Sequence, residues 1–215
     1  MRPDRDIAGA EAAHRRLDAT LTAMSDADVH APSLLPGWNV AMTLTHIARN
    51  ADSFRRIIDG AVRGEVADQY EHGANGRLAD IEAGRDRGRA EVADDVREAC
   101  ARLERCWAEL DDDTWTNGRG RFTSGQPALV HELPFRRWRE TDVHHLDLGL
   151  GYRAADLPDD YVKIELGLAL AGLPERIGAD DRRSWLAWLI GRGDVAALGE
   201  LGPWLPTLPT DRPSP

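Results

Sequence analysis

Apolar residues recur at helical rather than alternating spacing through most of residues 1–175. Ile7, Ala10, Leu17, Leu21 and Met24 form one stripe, which predicts a first helix over about 5–24. The stretch "APSLLPGWN" then breaks the pattern: Pro32, Pro36 and Gly37 stop a helix, and Asn39 can cap the next one. A second helix follows over about 40–60, with Val40, Leu44, Ile47, Ala51, Phe54 and Ile58 on one face. Residues 63–80 are polar and glycine-containing and read as a long loop. A third helix is predicted over about 82–110 on Val92, Val96, Leu103 and Leu110, and "DDDTW" ends it. "TNGRGRFTSGQ" (116–126) reads as loop, and a fourth helix contains the segment "RRWRETDVHHLDLGLG" (136–151), ending near Gly149 or Gly151.

Four long amphipathic helices predict a mainly α fold, a four-helix bundle, which builds its sites in the core from facing helices. The remainder differs. "DDYVKIELGLALAGLPERI" reads as a further helix, "RRSWLAWLIGRGD" as a short apolar one and "GPWLPTLPTDRPSP" as a Pro-rich tail. The chain therefore divides into a bundle, residues 1–151, and a small C-terminal appendage, residues 152–215. No repeat is evident.

Composition narrows the function classes. With 27 Lys plus Arg against 37 Asp plus Glu, the formal charge of the 215 residues is −10, a poor match to nucleic acid. No apolar run reaches the roughly 18 residues of a membrane span, and no leader pattern opens the sequence, so a cytoplasmic protein is expected. Cys100 and Cys106, six apart in a helix, fit neither a CxxC motif nor a zinc knuckle and read as idle thiols. Lys163 is the sole lysine, which reads as a codon bias rather than a mechanism.

Candidate chemistry gathers in "RRWRETDVHHLDLGLG" (136–151). On a helix, Glu140 and His144 are four apart and share a face, while His145 points about 100° away from His144. That spacing suits two metal ligands and equally an ordinary surface ion pair. On the second helix His46 lies off the Leu44–Ala51–Ile58 stripe, on a mixed face with Met42, Asn50, Ser53 and Ile57 that could line a cavity. Two histidines and a glutamate would leave a catalytic zinc one open position. Asp147, one turn beyond His144, could take the other ring N–H and fix the tautomer. Asn50 reads first as a packing residue and, on the cavity-facing stripe, as a candidate substrate contact.

"LPGWNVAMTLTHIARNADSF" (35–54) and "RRWRETDVHHLDLGLGY" (136–152) resemble the two signatures of the mycothiol-dependent maleylpyruvate isomerase family of DinB-like metalloenzymes, and "WLAWLIGRGD" (185–194) resembles its C-terminal region. The resemblance implies a DinB-like bundle with a divalent metal, usually zinc, on His46, Glu140 and His144. It also implies a catalytic arginine, for which Arg192 is the best match, in a C-terminal region that is abbreviated here. The implied reaction converts maleylpyruvate to fumarylpyruvate by reversible addition of mycothiol, a low-molecular-weight thiol supplied from outside. The same machinery would serve a mycothiol S-transferase acting on an electrophilic metabolite or toxin. A non-catalytic metal-binding bundle is the reading from another class.

Overall fold

The computed structural model describes residues 1–199 and 201. Their contacts cluster into two compact units, which divide between Asp156 and Leu157. The first is a four-helix bundle of α1 (Asp4–Ala23), α2 (Val40–Val62), α4 (Arg89–Glu109) and α6 (Leu133–Asp147), with α3 (Gly73–Ala83) laid against α2. A short helix, α5 (Asp112–Asn117), and an antiparallel hairpin, β1 (Arg119–Arg121) with β2 (Pro127–Leu129), connect α4 to α6. The helices pack in the ring order α1–α4–α2–α6, and β1 also lies against α2.

The central helix is α2. Every residue from Val40 to Ala48 is buried; α2 packs against α4, α6 and α3, and β1 meets it further along, at Ile57. Asn39 starts it as the spacing predicts: its Oδ1 accepts from the Met42 N–H at 2.9 Å, and its Nδ2 donates to the Arg85 carbonyl at 2.9 Å. At the other end of the site-bearing segment, α6 stops at Asp147, and Gly149 takes the left-handed conformation (φ 69°) that turns the chain away.

Four expectations need correction. Residues 63–80 are not all loop, since α3 occupies their second half; Ile81 is its one buried residue, so its pattern is too weak to announce a helix. The third helix begins at Arg89, not 82, because Gly84 ends α3 and Gly88 caps α4. "DDDTW" starts a helix as well as ending one: the Asp111 side chain accepts from the Thr114 N–H at 2.7 Å and opens α5. The following segment carries β1 and β2, three residues each, too short for alternation to be read.

The second unit contains α7 (Asp159–Ala171), α8 (Leu173–Arg176) and α9 (Arg182–Leu189), with Tyr161, Leu173 and Trp185 buried. The Pro-rich tail, from Gly202 on, lies outside the described residues. Among those described, no helix is long and apolar enough to cross a membrane.

The contact between α1 and α6 is close enough to test by one methyl group. A Cβ built on Gly9 would come within 2.1 Å of the Trp138 ring, which is 4% exposed and cannot swing aside. Glycine to alanine in a helix ordinarily stabilises by about 0.5–1 kcal/mol, but forcing an atom into a packed interface costs about 1–3 kcal/mol. The Gly9→Ala variant is therefore expected to be less stable by about 1–2 kcal/mol in urea unfolding. A gain in stability would mean that α1 and α6 do not meet as described.

Candidate metal centre

His46 projects from the buried N-terminal half of α2, and Glu140 and His144 project from one face of α6. These two helices pack together, which brings the three side chains to one point. His46 Nε2 lies 3.1 Å from His144 Nε2 and 3.3 Å from Glu140 Oε2, and His144 Nε2 is 3.5 Å from the same oxygen. Ligand atoms about 2.0–2.1 Å from a tetrahedral ion would be separated by roughly 3.3–3.4 Å. The donor set and its spacing therefore fit a small divalent cation.

His46 is 2% exposed, whereas the Glu140 and His144 side chains are 23% and 18% exposed, so the cluster is open on the α6 side. Asp147 Oδ2 accepts a hydrogen bond from His144 Nδ1 at 2.8 Å, which turns Nε2 toward His46 and Glu140. His145 faces elsewhere: its Nε2 is 2.7 Å from the Thr20 hydroxyl, and its ring stacks on Tyr152 with centroids 3.9 Å apart. The 100° separation of adjacent helical residues chooses between the two histidines.

The electrostatics demand a positive charge among the three. Burial pushes His46 down to about 4, with the charges of His144 and Arg77 adding to it against the pull of Glu140, so the ring is neutral at pH 7. Burial also opposes charge on Glu140, but the hydrogen bonds and charges of His144 and His46 outweigh it and hold the carboxylate well below its ordinary range. For His144, burial is outweighed by hydrogen bonds to Asp147 and Glu140 and by their charges, which raise it to about 9. Without a metal, a proton on His144 supplies the cation that Glu140 and Asp147 require.

Other residues close the surroundings. Arg77, on α3, has Nη2 at 3.4 Å from both ring nitrogens of His46. The Trp38 ring meets His46 edge-on at 5.8 Å. Tyr70 is buried, which raises its hydroxyl, while Ser53 and Arg77 draw it down. Arg77 and Tyr70 fall in the stretch that reads as loop, and nothing in their spacing marks them. Trp38 had a signal, as the aromatic two turns before His46 in the "PGWN" segment.

Two further candidates have other partners. Asn50 is 3% exposed, and its Oδ1 accepts from Arg137 Nη1 at 2.9 Å, so its amide serves a buried arginine rather than the space beside His46. Arg192 belongs to the second unit, exposed just beyond α9, with Nη1 donating to the Gly191 carbonyl at 3.1 Å.

Residues 10–149 match the family described as Mycothiol maleylpyruvate isomerase N-terminal domain. Two solved structures share the fold. One is the mycothiol-dependent maleylpyruvate isomerase, 23% identical, with a TM-score of 0.71 over 76% of this chain and 67% of that one. The other is a histidine-to-alanine mutant of that enzyme, 22% identical, with the same TM-score and coverage. No curated protein matches.

Proposed function

The chain belongs to the mycothiol maleylpyruvate isomerase N-terminal domain family, and from that premise we propose that it is a metal- and thiol-dependent enzyme of the maleylpyruvate isomerase type. The observation that carries the reading is the convergence of His46, Glu140 and His144, with ligand atoms all within 4.8 Å of one another. These three residues would hold a divalent ion, most suitably zinc. Bound there, the ion would supply a Lewis acid that favours the thiolate form of a low-molecular-weight thiol such as mycothiol.

The residues around the trio have definite tasks in such a reaction. Asp147 holds the Nδ1 proton of His144, so Nε2 keeps its lone pair on the ligand side. Glu140 contributes the one negative charge of the ligand set. Arg77, paired with no carboxylate among the described residues, is placed to bind a substrate carboxylate beside His46 and to steady enolate charge. A protein of formal charge −10 needs such a local cation to attract a dianion. With maleylpyruvate, the thiolate forms a C–S bond while the double-bond pair moves onto the adjoining carbonyl as an enolate. Rotation about the resulting single bond follows, and the enolate then re-forms the double bond in the trans arrangement and expels the thiolate. Arg192, carried over from the family resemblance, is the second arginine proposed for catalysis, and Asn50 contributes through Arg137.

Metal analysis of variants tests the site. The purified protein is expected to hold about one divalent ion per chain, the His46→Ala variant to lose most of it while remaining helical, and His145→Ala to keep it. Undiminished metal in a folded His46→Ala protein would remove the assignment.

Turnover tests the chemistry. Isomerisation of maleylpyruvate is expected to require an added thiol, with mycothiol far better than simple thiols. Arg77→Ala should lower kcat/KM by about 10–100-fold, as loss of a charge-assisted carboxylate contact does, with metal content unchanged. Arg192→Ala should lower kcat. If metal and thiol were bound but only a stable thioether accumulated from an electrophile, the S-transferase reading would replace the isomerase one.

A further inference from the structure

Arg137 is fully buried between α6, α2, α1 and α4, at 0% exposure. A guanidinium does not lose its proton, and a charge removed from water must be balanced nearby. Among the described residues none of its hydrogen bonds runs to a carboxylate. Nη1 donates to the Ile47 carbonyl at 2.8 Å and to Asn50 Oδ1 at 2.9 Å, both on α2. Nε donates to His14 Nε2 at 2.9 Å, and Nη2 reaches Cys100 Sγ at 3.3 Å.

Each partner can be asked whether it carries the missing negative charge. The Ile47 carbonyl and the Asn50 amide are neutral. His14 accepts from Arg137 through Nε2, which requires a lone pair there and so a ring protonated on Nδ1 alone, toward Glu104 Oε1 at 2.7 Å. Glu104 is anionic, but it sits on the far side of the imidazole with its side chain 35% exposed, where water screens it. One ionisable group in contact with the guanidinium remains, the thiol of Cys100, itself 6% exposed.

We infer that Cys100 is held as a thiolate, that it is the counter-ion of Arg137, and that this buried ion pair positions the turn of α2 carrying His46. Burial raises the Cys100 thiol, yet the charge of Arg137 beside it and a hydrogen bond with His14 bring it below the ordinary cysteine value. Cys106, on the same helix, is pushed up to about 11 by burial and by the charges of Asp59 and Glu109, against the pull of Arg55. The positioning follows from connectivity: Arg137 precedes Glu140 by three residues on α6, and its Nη1 grips the Ile47 carbonyl, next to His46. That last part rests on reading His46 as a metal ligand; the thiolate assignment does not.

The test uses the full-length Cys106→Ser protein, in which Cys100 is the one remaining thiol. Prepared metal-free at pH 7, it should show thiolate absorbance near 240 nm that is lost on unfolding in urea at the same pH and absent from the Cys100→Ser, Cys106→Ser double variant. Against Cys106→Ser, the double variant should melt about 10 °C lower, as expected for a buried charge stripped of its partner. Its zinc affinity should fall about 10–100-fold. Cys100→Asp, which keeps the negative charge, should recover most of both losses. Absorbance of Cys106→Ser that rises only at the pH of an ordinary thiol, about 8.5, would overturn the thiolate assignment even if the double variant does not fold. An unchanged melting temperature in the double variant would overturn the counter-ion role. Zinc affinity unchanged in the double variant, with the thiolate band present in Cys106→Ser, would overturn the positioning. If the unmodified protein bound no zinc, the metal reading would fall and the positioning with it, while the absorbance would still decide the charge state.

Discussion

The structure depends on one constraint: the first half of α2, Val40 to Ala48, and the core-facing residues beyond it are enclosed, so the polar groups of His46, Asn50 and Ser53 must find partners inside the protein. A buried polar or charged group without a partner costs several kcal/mol, a large fraction of a domain's total stability. All three are buried. Asn50 is matched by Arg137, and Ser53 donates to the Asn50 carbonyl at 2.7 Å and accepts from Gln69 at 3.3 Å. His46 is matched by Glu140 and His144. The polar face of α2 thus dictates what α6 must present, and α6 presents both a ligand pair and a buried arginine within eight residues, Arg137 to His144.

Two balances of charge follow along α6. At one, two carboxylates and a neutral imidazole surround a position that needs a cation, which His144 supplies as a proton when no metal is there. At the other, a cation in the core requires an anion, and the thiol of Cys100 is the group in contact with it. Because Arg137 and Glu140 are one turn apart, the second balance holds the first in register. A third network, in which fully buried Asp142 accepts from Arg16, Trp138 and Tyr152, fixes the opposite side of α6 against α1 and keeps His145 away from the ligands.

Much of the bundle was legible because long helices with one apolar stripe advertise themselves; the stripes on α1 and α2 are core, as are Val92, Val96 and Leu103 on α4, while Leu110 lies just past the end of α4 and is half-buried. The convergence of His46, Glu140 and His144 was legible from the i, i+4 spacing of Glu140 and His144, the position of His46 off the main stripe of its own helix, and the resemblance of both motifs to the family's signatures. What sequence did not disclose is whatever depends on docking. Helix α3 has a single buried side chain and is held by α2, so its periodicity is faint, and Arg77 with it. Cys100 reads as a free thiol, and it is one, but the arginine beside it is not announced, nor is the hydrogen bond by which the same Arg137 engages Asn50. Both contacts come from one residue that lies inside the core although its type favours the surface.

The central claim, that His46, Glu140 and His144 keep a place for one divalent cation which a proton on His144 otherwise fills, can be measured by calorimetric titration of the metal-free protein with zinc in buffers of different ionisation enthalpy. At pH 7 His46, at about 4, and Glu140, held well below its ordinary range, have already lost their protons, whereas His144, at about 9, has not. A ligating imidazole must be neutral, so the account predicts release of about one proton per zinc at pH 7, with affinity rising as the pH approaches about 9. Zinc binding with no proton release, or with the same release in a His144→Gln variant, would contradict it.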